Sequence, residues 1–132
     1  MPTTLAFDIG LAHTGVAISY ENQIAEGLLT IHTASADRLR DEILKLVTQY
    51  KPEVIVIGIP EKGPVNDYVA DLKNHLEPLI DIPIKLVNED LTSQMALRAM
   101  ISANKGPKQR HLTDHQAAAA SILQLYLDDL VE

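Results

Sequence analysis

A chain of 132 residues with 46% hydrophobic content is long enough to bury a true core, which argues against a disordered polypeptide. The absence of cysteine excludes disulfides and thiolate metal centres, and no stretch approaches the ~20 apolar residues of a membrane span. A single domain over residues 1–132, cytoplasmic and without a membrane partner, is expected. The formal net charge of −7 opposes general attraction to polyanions, so a nucleic-acid partner would need a local basic patch.

The stretch Leu5 to Ser19 reads as a buried strand carrying one ionisable group and then turning back. Leu5, Ala6, Phe7 and Ile9 form an apolar run broken only by Asp8; Gly10 permits a sharp turn, and Gly15 to Ile18 resumes strand character. A lone carboxylate in an apolar strand is costly to ionise without company. Asp8 is therefore expected to be paired, bonded to turn amides, or bound to a metal.

His13 to Tyr20 and Gln23 to His32 follow as two strands joined by the polar turn Glu21-Asn22, an antiparallel meander. From Asp37 to Tyr50 the period changes to that of a helix, with Leu39, Ile43, Leu46, Val47 and Tyr50 on one face and Pro52 beyond its end. Val54-Ile55-Val56-Ile57 is an uninterrupted β-branched run, the pattern of a parallel strand covered on both faces. A second helix is expected over Val65 to Leu79 and a short strand over Ile84 to Val87. Asn88-Glu89-Asp90 falls where that strand should end, and Thr92 is placed to cap a helix reaching about Ala103.

A polar loop from Asn104 to Leu112 contains the breaker Gly106-Pro107. No Asp or Glu occurs between Arg98 and Thr113, while Lys105, Lys108, Arg110 and His111 make this loop the local basic patch. Thr113 to Gln116 has the form of a capping box opening a last helix, whose Ala117 to Ala120 run lets another backbone approach closely. Three hairpin-like strands followed by strands alternating with helices define an α/β fold: a mixed five-stranded sheet, three antiparallel strands then parallel ones, flanked by helices. This is the element order of an RNase H-like domain.

Four stretches in this order resemble the YqgF/RuvX family of Holliday junction resolvases and pre-16S rRNA nucleases. Asp8-Ile9-Gly10 with Gly15-Val16-Ala17 is similar to the family's opening D-x-G and G-V-A, and Val56 to Pro60 to its V-x-G-x-P. Asn88 to Ser93 is similar to its D-E-R-L-T-S/T, and Asp114 with Ala117-Ala118 and Ile122 to Leu127 resembles its closing helix. The resemblance spans nearly the whole chain. It implies a metal-dependent nuclease acting on structured RNA or branched DNA, a possible homodimer, with Asp8, Glu89 and Asp114 as catalytic carboxylates holding Mg²⁺ or Mn²⁺. Phosphodiester hydrolysis with two such ions about 4 Å apart needs several carboxylates converging on one point, which is why these residue types matter.

The chain also departs from the family pattern. His13 stands where the family usually has a basic residue, as a phosphate contact or an ordinary exposed or core histidine. Asn88 replaces an Asp, and Asp90 replaces an Arg, either weakening phosphate binding or supplying a ligand in place of position 88. The loop after Pro60 is shorter than usual. Matching the end of the last helix without a gap puts His115 at the acidic position, whereas matching the alanine pair puts Asp114 there; hard Mg²⁺ favours Asp114. These departures sustain an alternative: a catalytically weakened member that binds nucleic acid or protein. The basic loop is the expected phosphate-holding segment, and the scarcity of aromatics favours recognition of backbone and shape over base edges.

Overall fold

The computed structural model describes residues 2–21, 24–59, 64–88 and 114–130. Strands β1 (Thr3–Asp8), β2 (His13–Tyr20), β3 (Glu26–His32), β4 (Val54–Ile59) and β5 (Ile84–Asn88) form one sheet in the order β3-β2-β1-β4-β5. The first three strands pair antiparallel, and β4 and β5 join β1 in parallel. This is the mixed sheet expected from the meander and the later strand–helix alternation.

Helix α1 (Ala36–Tyr50) begins at Ser35, whose Oγ accepts the Arg38 N–H at 3.2 Å. It ends at Lys51, left-handed at φ 50°, whose N–H donates to the Val47 carbonyl. Helix α2 (Pro64–Leu76) stops short of Leu79 and tightens into a 3₁₀ turn at Glu77–Leu79, because Pro78 has no N–H to continue the α pattern. Strand β3 starts later than the apolar pattern predicts: the Ala25 N–H is engaged by Gln124 Oε1 at 3.2 Å instead of a ladder partner. The expected helix over 92–103, the loop over 104–112 and the Thr113 cap lie outside the described residues. Helix α3 (Asp114–Leu130) is the expected last helix.

The period-two alternation of the strands gives the sheet two chemically different faces. On one, Leu5, Phe7, Val16, Ile18, Ile55 and Ile57 pack against Leu39, Ile43, Leu72 and Leu76 of α1 and α2. On the other, the small residues Ala6 and Ala17, with Val56, meet Ala119, Ala120, Ile122, Leu123 and Leu127 of α3. Val54 to Ile57 is buried throughout because β4 is covered on both sides. Large side chains therefore fill the face under α1 and α2, while small residues let the start of α3 come close to the sheet.

Phe7 is 0% exposed at the centre of the larger-residue face. Phe7→Ala is expected to cost about 3–5 kcal/mol, combining lost transfer energy with a cavity, as measured by urea unfolding. A cost under about 1 kcal/mol would contradict this packing.

Candidate active site

Parallel pairing brings the carboxyl ends of β1, β4 and β5 to one edge of the sheet, and the antiparallel partners place the start of β2 and the end of β3 there too. Asp8 is the last residue of β1, half-buried at this edge. It shares its face with Ala6, the α3 face. Its cross-strand partners are glycines on both sides, Gly15 of β2 and Gly58 of β4. The positions directly opposite Asp8 on both neighbouring strands thus carry no Cβ.

Helix α3 covers Gly15 from above. A Cβ on Gly15 would collide with the carbonyl group of His115, and one on Gly27 would lie 2.9 Å from Gln116 Cβ. Gly15 is needed for space, not for conformation, because the first turn of α3 rests on the strand. Asp114, the first residue of α3, is thereby held beside the end of the sheet that carries Asp8. The start of a helix carries unbonded N–H groups and partial positive charge, which favours ionised carboxylates nearby.

His13 opens β2, two residues before Gly15 and on the same face. Its Nδ1 lies 2.8 Å from Nδ1 of His32, its cross-strand partner at the end of β3. The His115 ring lies 5.0 Å from that of His13, tilted by 33°. The three rings are exposed, so His13 and His115 are neither core histidines nor isolated ones.

His32 was not foreseen from sequence because its pairing depends on a bulge. If the Ile18–Glu26 and Ala17–Gly27 register continued, Ala12 would face His32; the shift between Val16 and Ala17 instead aligns His13 with His32.

The structure therefore gathers Asp8, His13, His115 and the position of Asp114 at one edge. Glu89, Asp90, Lys105, Lys108, Arg110 and His111 lie outside the described residues. Glu89 follows directly on the last residue of β5, whose end belongs to that edge. Asn88 alternates with Ile84 and Leu86, which puts it on the face opposite Val87 and α3. Among the described residues no three His, Asp or Glu side chains form a metal-holding group. Asp8 supplies hard oxygen donors of the kind Mg²⁺ takes, so the described part of the site fits such an ion without completing its ligand set.

A groove on the far face lies between α1 and α2, lined by Arg40, Tyr68, Asp71 and His75. Burial raises the Tyr68 phenol above its usual pKa. This groove is separated from Asp8 by the sheet. Among the described residues no helix is long and apolar enough to cross a membrane.

A five-stranded mixed sheet with a terminal carboxylate on its first strand and a closing helix laid across it is the RNase H-like resolvase fold. The chain superposes with a TM-score of 0.72 on T. thermophilus RuvC in complex with a Holliday junction substrate, covering 99% of this chain and 96% of that one at 16% identity. It superposes at 0.69 on the Fowlpox virus resolvase in complex with Holliday junction DNA, covering 98% and 99% at 11% identity.

The family model RuvX, described as Holliday junction resolvase, matches residues 2–129, and the chain belongs to this family. A relative from Natranaerobius thermophilus with the assigned name "Putative pre-16S rRNA nuclease" is 35% identical, the match covering 94% of this chain and 92% of that protein. One of the same name from Clostridium kluyveri is 38% identical, covering 94% and 95%.

Gly15→Ala is expected to destabilise the fold by about 1–3 kcal/mol, because the added methyl must push the start of α3 off β2. Gly27→Ala should cost less, since its nearest neighbour is the Gln116 side chain rather than helix backbone. Thermal and urea unfolding of both variants checks the order, which reverses if α3 does not rest on Gly15.

Proposed function

We propose that the protein is a divalent-metal-dependent nuclease of the cytoplasm that hydrolyses phosphodiester bonds in structured nucleic acid, either a Holliday junction or pre-16S rRNA. The observation that carries this reading is the place of Asp8 between Gly15 and Gly58 at the carboxyl ends of the parallel strands, with the start of α3 laid on Gly15. Family membership and the nuclease names of the relatives support the same chemistry.

Asp8, Glu89 and Asp114 would hold the metal ions, with Asp114 preferred to His115 because Mg²⁺ takes oxygen ligands. His115 also has its ring turned to His13. When bound, the ions supply Lewis acidity that favours attack of water on phosphorus and offsets charge on the leaving oxygen. The protein's own part is positional. Strand β1, paired on both sides, fixes the Asp8 backbone, and Gly15 beside it seats the first turn of α3. The basic loop Lys105, Lys108, Arg110 and His111 would hold the flanking backbone against the repulsion of an acidic protein.

Asp8→Asn preserves shape and removes the charge. With Mg²⁺ and either a four-way DNA junction or a precursor 16S rRNA fragment, it should cut at least about a hundredfold more slowly than the wild type. Equal rates of cutting on both substrates would overturn the assignment. Intact binding with no cutting by the wild type would favour a binding module.

A further inference from the structure

We propose that His13 and His32 form a two-imidazole clip for a divalent transition-metal ion of the Cu²⁺ or Ni²⁺ type, a site separate from the oxygen donors at Asp8 and independent of the nuclease reading. The two histidines face each other across the β2–β3 hairpin. The Thr33 N–H donates to the Ala12 carbonyl at 3.0 Å, so the backbone bond flanks the His13–His32 pair rather than joining it. In an antiparallel ladder this is the kind of pair whose side chains come closest. The bulge between Val16 and Ala17 brings the two residues into register.

The nitrogens that meet are the inner ones. Nδ1 of His13 lies 2.8 Å from Nδ1 of His32, and the rings cross edge to face at 78°. Without an ion, one Nδ1 carries the hydrogen and the other accepts it. Moving that hydrogen to the outer nitrogen of its own ring is a change of tautomer that neither gains nor loses a proton, and it leaves two inner lone pairs on neighbouring atoms. Those lone pairs repel each other unless a cation lies between them. Both rings are exposed and neither forms an ion pair among the described residues, so they are able to turn toward a shared ion.

The distance selects the ion. With metal–nitrogen bonds of about 2.0 Å, nitrogens 2.8 Å apart subtend about 90° at the metal, the angle between adjacent positions of a tetragonal Cu²⁺ or Ni²⁺ centre. A tetrahedral Zn²⁺ would spread them to about 3.3 Å. Imidazole donors also disfavour Mg²⁺, which takes oxygen ligands. Among the described residues no third His, Asp or Glu completes a metal-holding group, so water fills the remaining positions.

The test is titration of the tag-free full chain with CuCl₂ in a buffer that does not bind copper, followed by calorimetry and electron paramagnetic resonance. The wild type should bind its tightest Cu²⁺ equivalent with the nitrogen couplings of two imidazoles. His32→Phe should bind at least about tenfold more weakly, and Asp8→Asn should bind as the wild type does. Ni²⁺ should raise the unfolding midpoint of the wild type and not that of His32→Phe, with the metal-free midpoints alike. Equal Cu²⁺ affinity of His32→Phe and wild type, a wild-type spectrum with fewer than two imidazoles, or loss of the copper site in Asp8→Asn overturns the proposal. Should His32→Phe fold poorly, the wild-type spectrum alone decides.

Discussion

The contact on which the candidate site depends is the seat of the His115 carbonyl against Gly15. A helix comes this close to a strand only where side chains on both partners are small. Gly15 and Gly27 from the sheet side, with Ala6 and Ala17, meet the run Ala117 to Ala120 of α3. The hydrogen bond from the Ala25 N–H to Gln124 Oε1 fastens the helix further along, at the start of β3. The opposite face is built from leucine, isoleucine, valine and phenylalanine and packs against α1 and α2. The close helix is the one whose first residue is a carboxylate, and its approach brings Asp114 to the sheet edge of Asp8.

Electrostatics set the second constraint. A carboxylate site on a protein of net charge −7 faces a polyanionic substrate, so local cations must offset the repulsion. Arg40 is engaged by Asp37 and Asp41, Lys45 by Glu42, and Lys73 by Glu77. These exposed pairs contribute little stability, but they neutralise positive charge on α1 and α2, on the face away from Asp8. These pairs leave no net cationic patch on that face.

Much of the fold was legible because periodicity reports burial directly. The β-branched run of β4, the helical stripe of α1 and the alanine run of α3 each described an environment that the structure contains. Asp8 was legible for the complementary reason: a charge in an apolar run demands a cause. Gly15 was read as a place where strand character resumes, although a glycine inside a strand also marks a close backbone approach, and that signal was available. His32 was not legible. An even ladder continued from the Ile18–Glu26 pair places it opposite Ala12, and only a one-residue bulge, invisible to periodicity, moves it to His13. The stop of α2 at Leu76 followed from Pro78, whose effect on the helix end the apolar stripe through Leu79 concealed.

The same geometry reorders the importance of the departures from the family pattern. A missing carboxylate at position 88 would matter most if that side chain shared a face with Asp8. Strand alternation instead puts Asn88 with Ile84 and Leu86, toward the α1 and α2 side, so this exchange removes no oxygen donor from the face of Asp8. The His13 exchange is different in kind. It gives up a permanent charge beside the site and acquires a partner across the hairpin. Of the two departures, the exchange at position 88 is the one that strand alternation separates from the face of Asp8.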